Sequence, residues 1–254
     1  MSLESKMIRN KRPMQGSQKL FFCFPYAGGG ASAYYAWDRR LGEDVLVCPV
    51  QLPGREERIM EETFCDIEEA IGAAFQEIWS YRMQPIYLYG HSMGTKLAYG
   101  VAREFERLGR PVDALFVSGC RIPEISEPNP IGGLPDPLFK KALSRFDGTP
   151  KEVLENEELM EFFLPLLRAD FQMAENGMTN TERLSCPIIA AGGWEDLEAT
   201  EIEIQQWKDQ TTGPFVCEMF SGTHFFIKEQ EEAFLAFLKE NLCKVGQYEA
   251  HLLA

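Results

Sequence analysis

Six short apolar runs, rich in β-branched and aromatic residues, recur along the chain: Leu20–Pro25, Val45–Val50, Pro85–Gly90, Ala114–Gly119, Pro187–Gly192 and Phe215–Phe220. A strand that is wetted on one face alternates apolar and polar side chains, so near-continuous apolar runs of this length mark strands covered on both faces. Helical periodicity at Ile67–Trp79, Met93–Leu108, Glu201–Lys208 and Glu229–Leu242 falls between or after them. Strands alternating with helices predict an α/β fold, a doubly wound and mostly parallel central sheet flanked by helices.

One connection breaks the rhythm. The stretch from 120 to 186 is far longer than a single crossover helix needs, so it is expected to hold a helical lid insertion at about 121–183. Two helix starts are legible in it, Asp136-Pro137 and Thr149-Pro150-Lys151-Glu152, the second with N-cap, N1 proline and capping glutamate in place. The rest, 18–243, reads as one domain, within the size range of a single core. Residues 1–17 carry Lys6, Arg9, Lys11 and Arg12 without the apolar run of a secretory signal and are expected to be a flexible N-terminal tail, with 244–254 a C-terminal tail.

Charge narrows the function. Lysine and arginine total 25 against 39 acidic residues, a net charge of −14, and a field of that sign repels phosphate backbones and anionic lipid, so neither nucleic acid nor membrane is expected as a partner. The charge-free stretch Leu20–Trp37 is interrupted by Pro25 and Gly28-Gly29-Gly30 and does not read as a membrane span. Seven cysteines, an odd number without a C-x-x-C pair, read as free thiols of a reducing cytoplasm, with no disulfide framework and no metal site.

The sharpest motif is Gly90-His91-Ser92-Met93-Gly94, directly after the strand Ile86-Tyr87-Leu88-Tyr89 and directly before a helix. A nucleophile elbow needs this arrangement: serine takes a strained turn, and flanking glycines remove the Cβ atoms that would clash where strand meets helix. A serine hydroxyl needs a base, most often histidine. Of three histidines, His91 adjoins the serine and should point away from it, and His251 lies near the chain end. His224, just beyond the last predicted strand, is the candidate. The acid should lie between serine and histidine in chain order. Gly193-Trp194-Glu195-Asp196 follows the fifth strand, and either acid could orient the imidazole, with Asp196 preferred for its deeper place in the loop. The oxyanion of an attacked carbonyl needs two fixed N–H donors. One is expected from Met93, the other from the loop Phe24–Gly30, whose glycine run lacks the G-K-[ST] ending or G-x-G-x-x-G spacing of nucleotide loops.

These motifs, together with Gln51-Leu52-Pro53-Gly54-Arg55-Glu56-Glu57-Arg58, Leu164-Pro165-Leu166-Leu167-Arg168-Ala169-Asp170 and Gly222-Thr223-His224-Phe225-Phe226, resemble the free-standing type II thioesterases that accompany nonribosomal peptide and polyketide assembly lines, within the α/β-hydrolase superfamily. The resemblance runs nearly end to end and implies an α/β-hydrolase fold. It also implies Ser92 as nucleophile, Asp196 as acid and His224 as base, with oxyanion donors in the amides of Ala27 and Met93. The implied reaction is hydrolysis of acyl or aminoacyl thioesters from acyl or peptidyl carrier proteins, clearing mis-primed synthases. The phosphopantetheine arm then belongs to the carrier, and the enzyme needs no cofactor of its own. Thr223, where a second glycine often precedes the histidine, is a mild departure. A monomer is expected. Carriers tend to be acidic, so Lys140, Lys141 and Arg145, or Arg103, Arg107 and Arg110, are candidates to meet one. The rival readings are a general carboxylesterase or acyl-CoA thioesterase with the same triad, and a catalytically silent fold serving as a binding module.

Overall fold

A computed structural model describes residues 7–252 apart from Lys11, Ser17, Asp147, Thr149, Pro150 and Asn180. Strands β1 (Lys19–Phe24), β2 (Val45–Pro49), β3 (Ile86–His91), β4 (Ala114–Ser118), β5 (Ile188–Gly193) and β6 (Phe215–Phe220) form one sheet in the order β2-β1-β3-β4-β5-β6. All five neighbouring pairs are parallel. The expected α/β architecture is therefore present, and each strand lies within one or two residues of its apolar run.

The apolar runs are continuous because both sheet faces are covered. Leu20, Phe22 and Phe24 of β1 pack on α1 (Ile67–Trp79) and α2 (Met93–Arg107), against Ala74, Leu97 and Val101. Phe21 and Cys23, one residue out of phase, pack on the opposite side against Trp37, Phe234 and Leu238. Those last residues come from the 3₁₀ turn Ala31–Trp37 and from α8 (Glu231–Leu252). Fully burying each of these large side chains contributes about 1.5–3 kcal/mol, so the alternation along one strand fixes its register to both layers. The chain leaves β1 towards β2 on one side and returns to β3 on the other. At such a reversal the loops after β1 and β3 diverge and leave a crevice at the carboxyl ends of the strands.

Between β4 and β5 lie α3 (Asp136–Leu143), α4 (Lys151–Glu155) and α5 (Glu157–Glu175). They share an apolar cluster of Ile131, Phe139, Leu143, Met160, Leu167 and Phe171. The helix start at Asp136-Pro137 is present. Thr149 and Pro150 of the other lie outside the described residues, and α4 begins at Lys151. The longest element of the segment, α5, has no counterpart in the sequence reading. It is capped by Asn156, whose side chain accepts the Leu159 N–H at 3.1 Å.

Four expectations need correction. The segment 1–17 is not a loose tail from residue 7 onward. Ile8 bridges Val50 in antiparallel fashion, the Gln51 N–H donates to the Met7 carbonyl at 2.7 Å, and both apolar side chains are buried. Arg12 holds Asp38 with its Nε at 2.8 Å and donates to the Val45 carbonyl. This stretch covers the edge of β2, which would otherwise expose unpaired strand groups. At the other end α8 continues through the expected tail to Leu252, with Val245 buried against the sheet. The helix predicted from Glu229 is divided at Gln230, with α7 (Phe226–Glu229) preceding α8. The pattern at Glu201–Lys208 gives α6 (Glu201–Gln205), then a 3₁₀ turn at Gln206–Gln210 that buries Trp207 and lets its Nε1 donate to the Cys120 carbonyl at 2.8 Å. No helix among the described residues is long and apolar enough to cross a membrane.

Candidate active site

The turn between β3 and α2 is strained where the motif requires it. Ser92 sits at φ 54° and ψ −123°, in backbone space that costs a non-glycine residue about 1–3 kcal/mol. The strain is held by backbone bonds on both sides: the Ser92 N–H donates to the Ser118 carbonyl and its own carbonyl accepts from Thr95, each at 2.9 Å. The flanking glycines are steric necessities. A Cβ on Gly90 would lie 2.1 Å from the Gly94 carbonyl oxygen, and one on Gly94 would lie 2.3 Å from the Phe24 carbonyl oxygen. Because those obstacles are backbone atoms, Gly94→Ala is expected to cost about 3 kcal/mol or more, read as a lowered denaturation midpoint; a midpoint equal to that of the wild type would contradict this packing.

Beyond β5 the loop is tied to the end of β6, the Trp194 N–H donating to the Phe220 carbonyl at 2.8 Å, and Asp196 follows. Its Oδ2 lies 2.9 Å from His224 Nδ1, its Oδ1 accepts the Glu198 N–H at 2.8 Å, and its side chain is fully buried. A carboxylate can only accept, so Nδ1 carries the proton and Nε2 is left with its lone pair free to accept one. Of the two candidate acids, then, Asp196 meets the imidazole. Glu195 does something else: its carboxylate accepts the Gly222 N–H while its own N–H donates to the Gly222 carbonyl at 3.0 Å, tying the acid loop to the histidine loop.

Ser92 and His224 line one open cavity, together with Ala27 and Met93. The two amides are presented by different devices. Met93 opens α2, and the first N–H groups of a helix have no partner within it. Ala27 is the second residue of a tight turn in which the Gly29 N–H donates to the Tyr26 carbonyl at 2.8 Å and Gly28 takes φ +74°. Those are the marks of a type II turn, which demands glycine at that place. In a trans peptide the N–H points opposite to the C=O, so fixing the Tyr26 carbonyl inside the turn aims the Ala27 N–H outward.

His91 does not line the cavity that Ser92 and His224 share. It is wholly buried, with Nδ1 3.0 Å from Ser118 Oγ, and burial, with the neighbouring charges of His224 and Lys228, holds it well below the usual imidazole range. It stays neutral, with its ring centroid 5.0 Å from that of His224. Sequence reasoning missed the polar end of the cavity, lined by Lys96, Arg121, Glu127, Glu175 and Glu198 beside the apolar Ile125, Phe146, Phe171 and Ala174. Lys96 Nζ donates to the Asn176 carbonyl at 2.8 Å, and burial pushes its ammonium down. Arg121 binds Glu203 and Glu127, each at 2.6 Å. The signal that could have found Lys96 is its spacing, one helical turn beyond Ser92.

A strand-turn-helix serine, a carboxylate-bound imidazole after the last strand and two backbone amides at one cavity can take a proton from an alcohol, form an ester with an acyl group and stabilise the intervening oxyanion. That is the chemistry of a serine hydrolase, here on an α/β-hydrolase fold. The thioesterase domain model matches residues 19–242, and the chain belongs to the thioesterase family. The protein is a thioester hydrolase.

The gramicidin S biosynthesis protein GrsT of Aneurinibacillus migulanus is 35% identical over 94% of each chain. LgrE of Brevibacillus parabrevis, named a linear gramicidin dehydrogenase, is 35% identical over 94% of this chain and 93% of its own. Among solved structures, the type II thioesterase BorB from the borrelidin biosynthetic cluster superposes with a TM-score of 0.85 at 34% identity, covering 95% of this chain and 100% of that one. A dehydrogenase name would suggest a dinucleotide at the glycine loop. In this chain the Gly28 N–H already donates to the carboxylate of Asp170 at 2.7 Å, which a pyrophosphate would meet as a like charge.

Proposed function

We propose that the enzyme hydrolyses acyl and aminoacyl thioesters from the phosphopantetheine arm of acyl or peptidyl carrier proteins and so clears mis-primed nonribosomal peptide or polyketide synthases. The observation that carries this reading is the single cavity shared by Ser92 and His224, with Asp196 behind the imidazole. Ser92 attacks the thioester carbonyl while His224 Nε2 takes its proton. The Ala27 and Met93 amides bind the oxyanion as it forms. The C–S bond breaks, the sulfur takes the proton held by His224 and leaves as the thiol, and the acyl group stays on Ser92. A water that gives its proton to His224 then releases the acid and restores the serine.

The reading assigns no cofactor and no metal to the enzyme itself and places it in the cytoplasm as a monomer, away from nucleic acid and membrane. It also selects between the two basic clusters. Arg103 is engaged by Glu68, Arg107 by Glu104 and Arg110 by Asp113, so their charge is largely neutralised locally. Arg145 is taken by Glu198 at 2.9 Å. Lys140 and Lys141, in the last turn of α3, have no ion-pair partner among the described residues and are the members of the cluster proposed to face an acidic carrier.

The test uses one acyl group on a carrier protein, on coenzyme A and on an oxygen ester. The carrier thioester is expected to show kcat/KM about tenfold or more above the coenzyme A thioester, a carrier contact contributing about 1.4 kcal/mol per tenfold, with the oxygen ester slowest. Equal values on all three would identify a general esterase.

A further inference from the structure

Two segments singled out in the sequence, Gln51–Arg58 after β2 and Leu164–Asp170 in α5, have no part in the chemistry above, yet they meet directly beneath the oxyanion turn. Arg55 and Asp170 form a bidentate ion pair, Nη1 to Oδ2 and Nη2 to Oδ1, each at 2.8 Å, with the two side chains 4% and 0% exposed. The same Oδ2 accepts the Gly28 N–H at 2.7 Å, and the same Nη1 donates to the Gly29 carbonyl at 3.0 Å. Gln51 extends the contact, accepting the Ala31 N–H at 2.7 Å and donating to the Arg55 carbonyl at 3.0 Å. Removing two charges from water is costly, and an apolar pair of similar volume would often serve stability as well, so a buried pair is weak evidence of a stabilising role. What an apolar pair could not do is accept from Gly28.

We infer that the Arg55–Asp170 pair is a positioning device for the Ala27 oxyanion donor, holding its turn in one form through the Gly28 N–H and the Gly29 carbonyl. A type II turn converts to type I by rotating its central peptide, here Ala27–Gly28. That rotation would bring the Ala27 carbonyl oxygen against the Asp170 carboxylate, two acceptors facing each other out of water. Asp170 therefore excludes the rotated form. The Ala27 N–H lies in the preceding peptide, whose carbonyl is held by the Gly29 N–H, so anchoring Gly28 and Gly29 anchors the donor through that bond, and a donor fixed before charge develops is worth far more than one that must reorganise. Since Asp170 is carried by α5, the segment between β4 and β5 takes part in setting the oxyanion site.

The inference rests on the reading of Ala27 as a donor, and its test separates the two. Asp170→Ala would leave a guanidinium buried without its partner, so the informative variants are doubles. Arg55→Met/Asp170→Leu removes both charges and the acceptor for Gly28. Arg55→Met/Asp170→Asn removes both charges but keeps a carbonyl acceptor. For the Leu double, kcat on a thioester is expected to fall tenfold or more with KM within twofold of wild type, and the Ki of a boronic acid, whose adduct places an oxygen in the oxyanion site, to rise in proportion. The Asn double is expected to recover most of that loss. Equal kcat in the two doubles, a loss confined to KM, or an unmoved boronate Ki would overturn the inference, as would failure of both to fold, which would make the pair an element of the fold alone. A wild type inactive on every thioester would instead sink the functional reading.

Discussion

Ser92→Ala is expected to lower kcat on an acyl-carrier thioester by about 10,000-fold or more, leaving only the acceleration that the oxyanion amides and binding provide. The alanine removes the hydroxyl that Ser92 contributes to the cavity it shares with His224. It leaves the turn intact, because the strained φ of 54° is held by backbone bonds to Ser118 and Thr95 that do not involve the side chain. The variant should therefore melt with the wild type while releasing thiol, followed with a chromogenic disulfide, at the rate of the uncatalysed reaction multiplied by this residue of catalysis. A variant that folds and keeps a tenth of wild-type turnover would mean that another group performs the attack.

Asp196→Asn carries the second largest expected effect, a loss in kcat of about 10,000-fold. The substitution is isosteric and can still accept the Glu198 N–H, so the loop that holds it should persist. What changes is the imidazole. A carboxylate accepts from His224 Nδ1 and leaves Nε2 able to take the serine proton, whereas an amide can present its own N–H to Nδ1 and favour the opposite tautomer, in which Nε2 already carries a proton and cannot accept one. Glu195→Gln is the matched control. Its carboxylate serves Gly222 and makes no contact with the imidazole, so a loss of less than tenfold is expected. Steady-state hydrolysis of one carrier thioester by the two variants decides which acid orients the histidine, and a larger loss from Glu195→Gln would reverse the assignment.

Strands were readable from sequence because burial on both faces makes them apolar throughout, and a run such as Phe21-Phe22-Cys23-Phe24 has no other comfortable place in water. The serine turn was readable because its glycines answer backbone atoms that no side chain could displace. His224 followed by position and Asp196 by chain order, but the choice between Asp196 and Glu195 depended on how the loop folds back, which adjacent residues of like charge do not encode. Helix α5 escaped notice because Pro165 lies in its interior, where proline usually ends a helix; the signal was present at Asn156-Glu157-Glu158, an N-cap followed by an acidic first turn. Met7 and Ile8 escaped because a single bridge to β2 has no periodicity. Arg55 and Asp170 stand 115 positions apart, and their pairing is a product of topology alone.

The central claim is that Ser92 is made reactive by His224 and held ready at the cavity. A fluorophosphonate forms a stable bond only with an activated serine, so incubating the folded wild type with one and mapping the product by peptide mass spectrometry tests it directly. A single adduct on the peptide carrying Ser92, formed at least a hundredfold more slowly in His224→Ala, is the predicted result. An unlabelled Ser92 in active enzyme, or an adduct on another residue that abolishes hydrolysis, would contradict it.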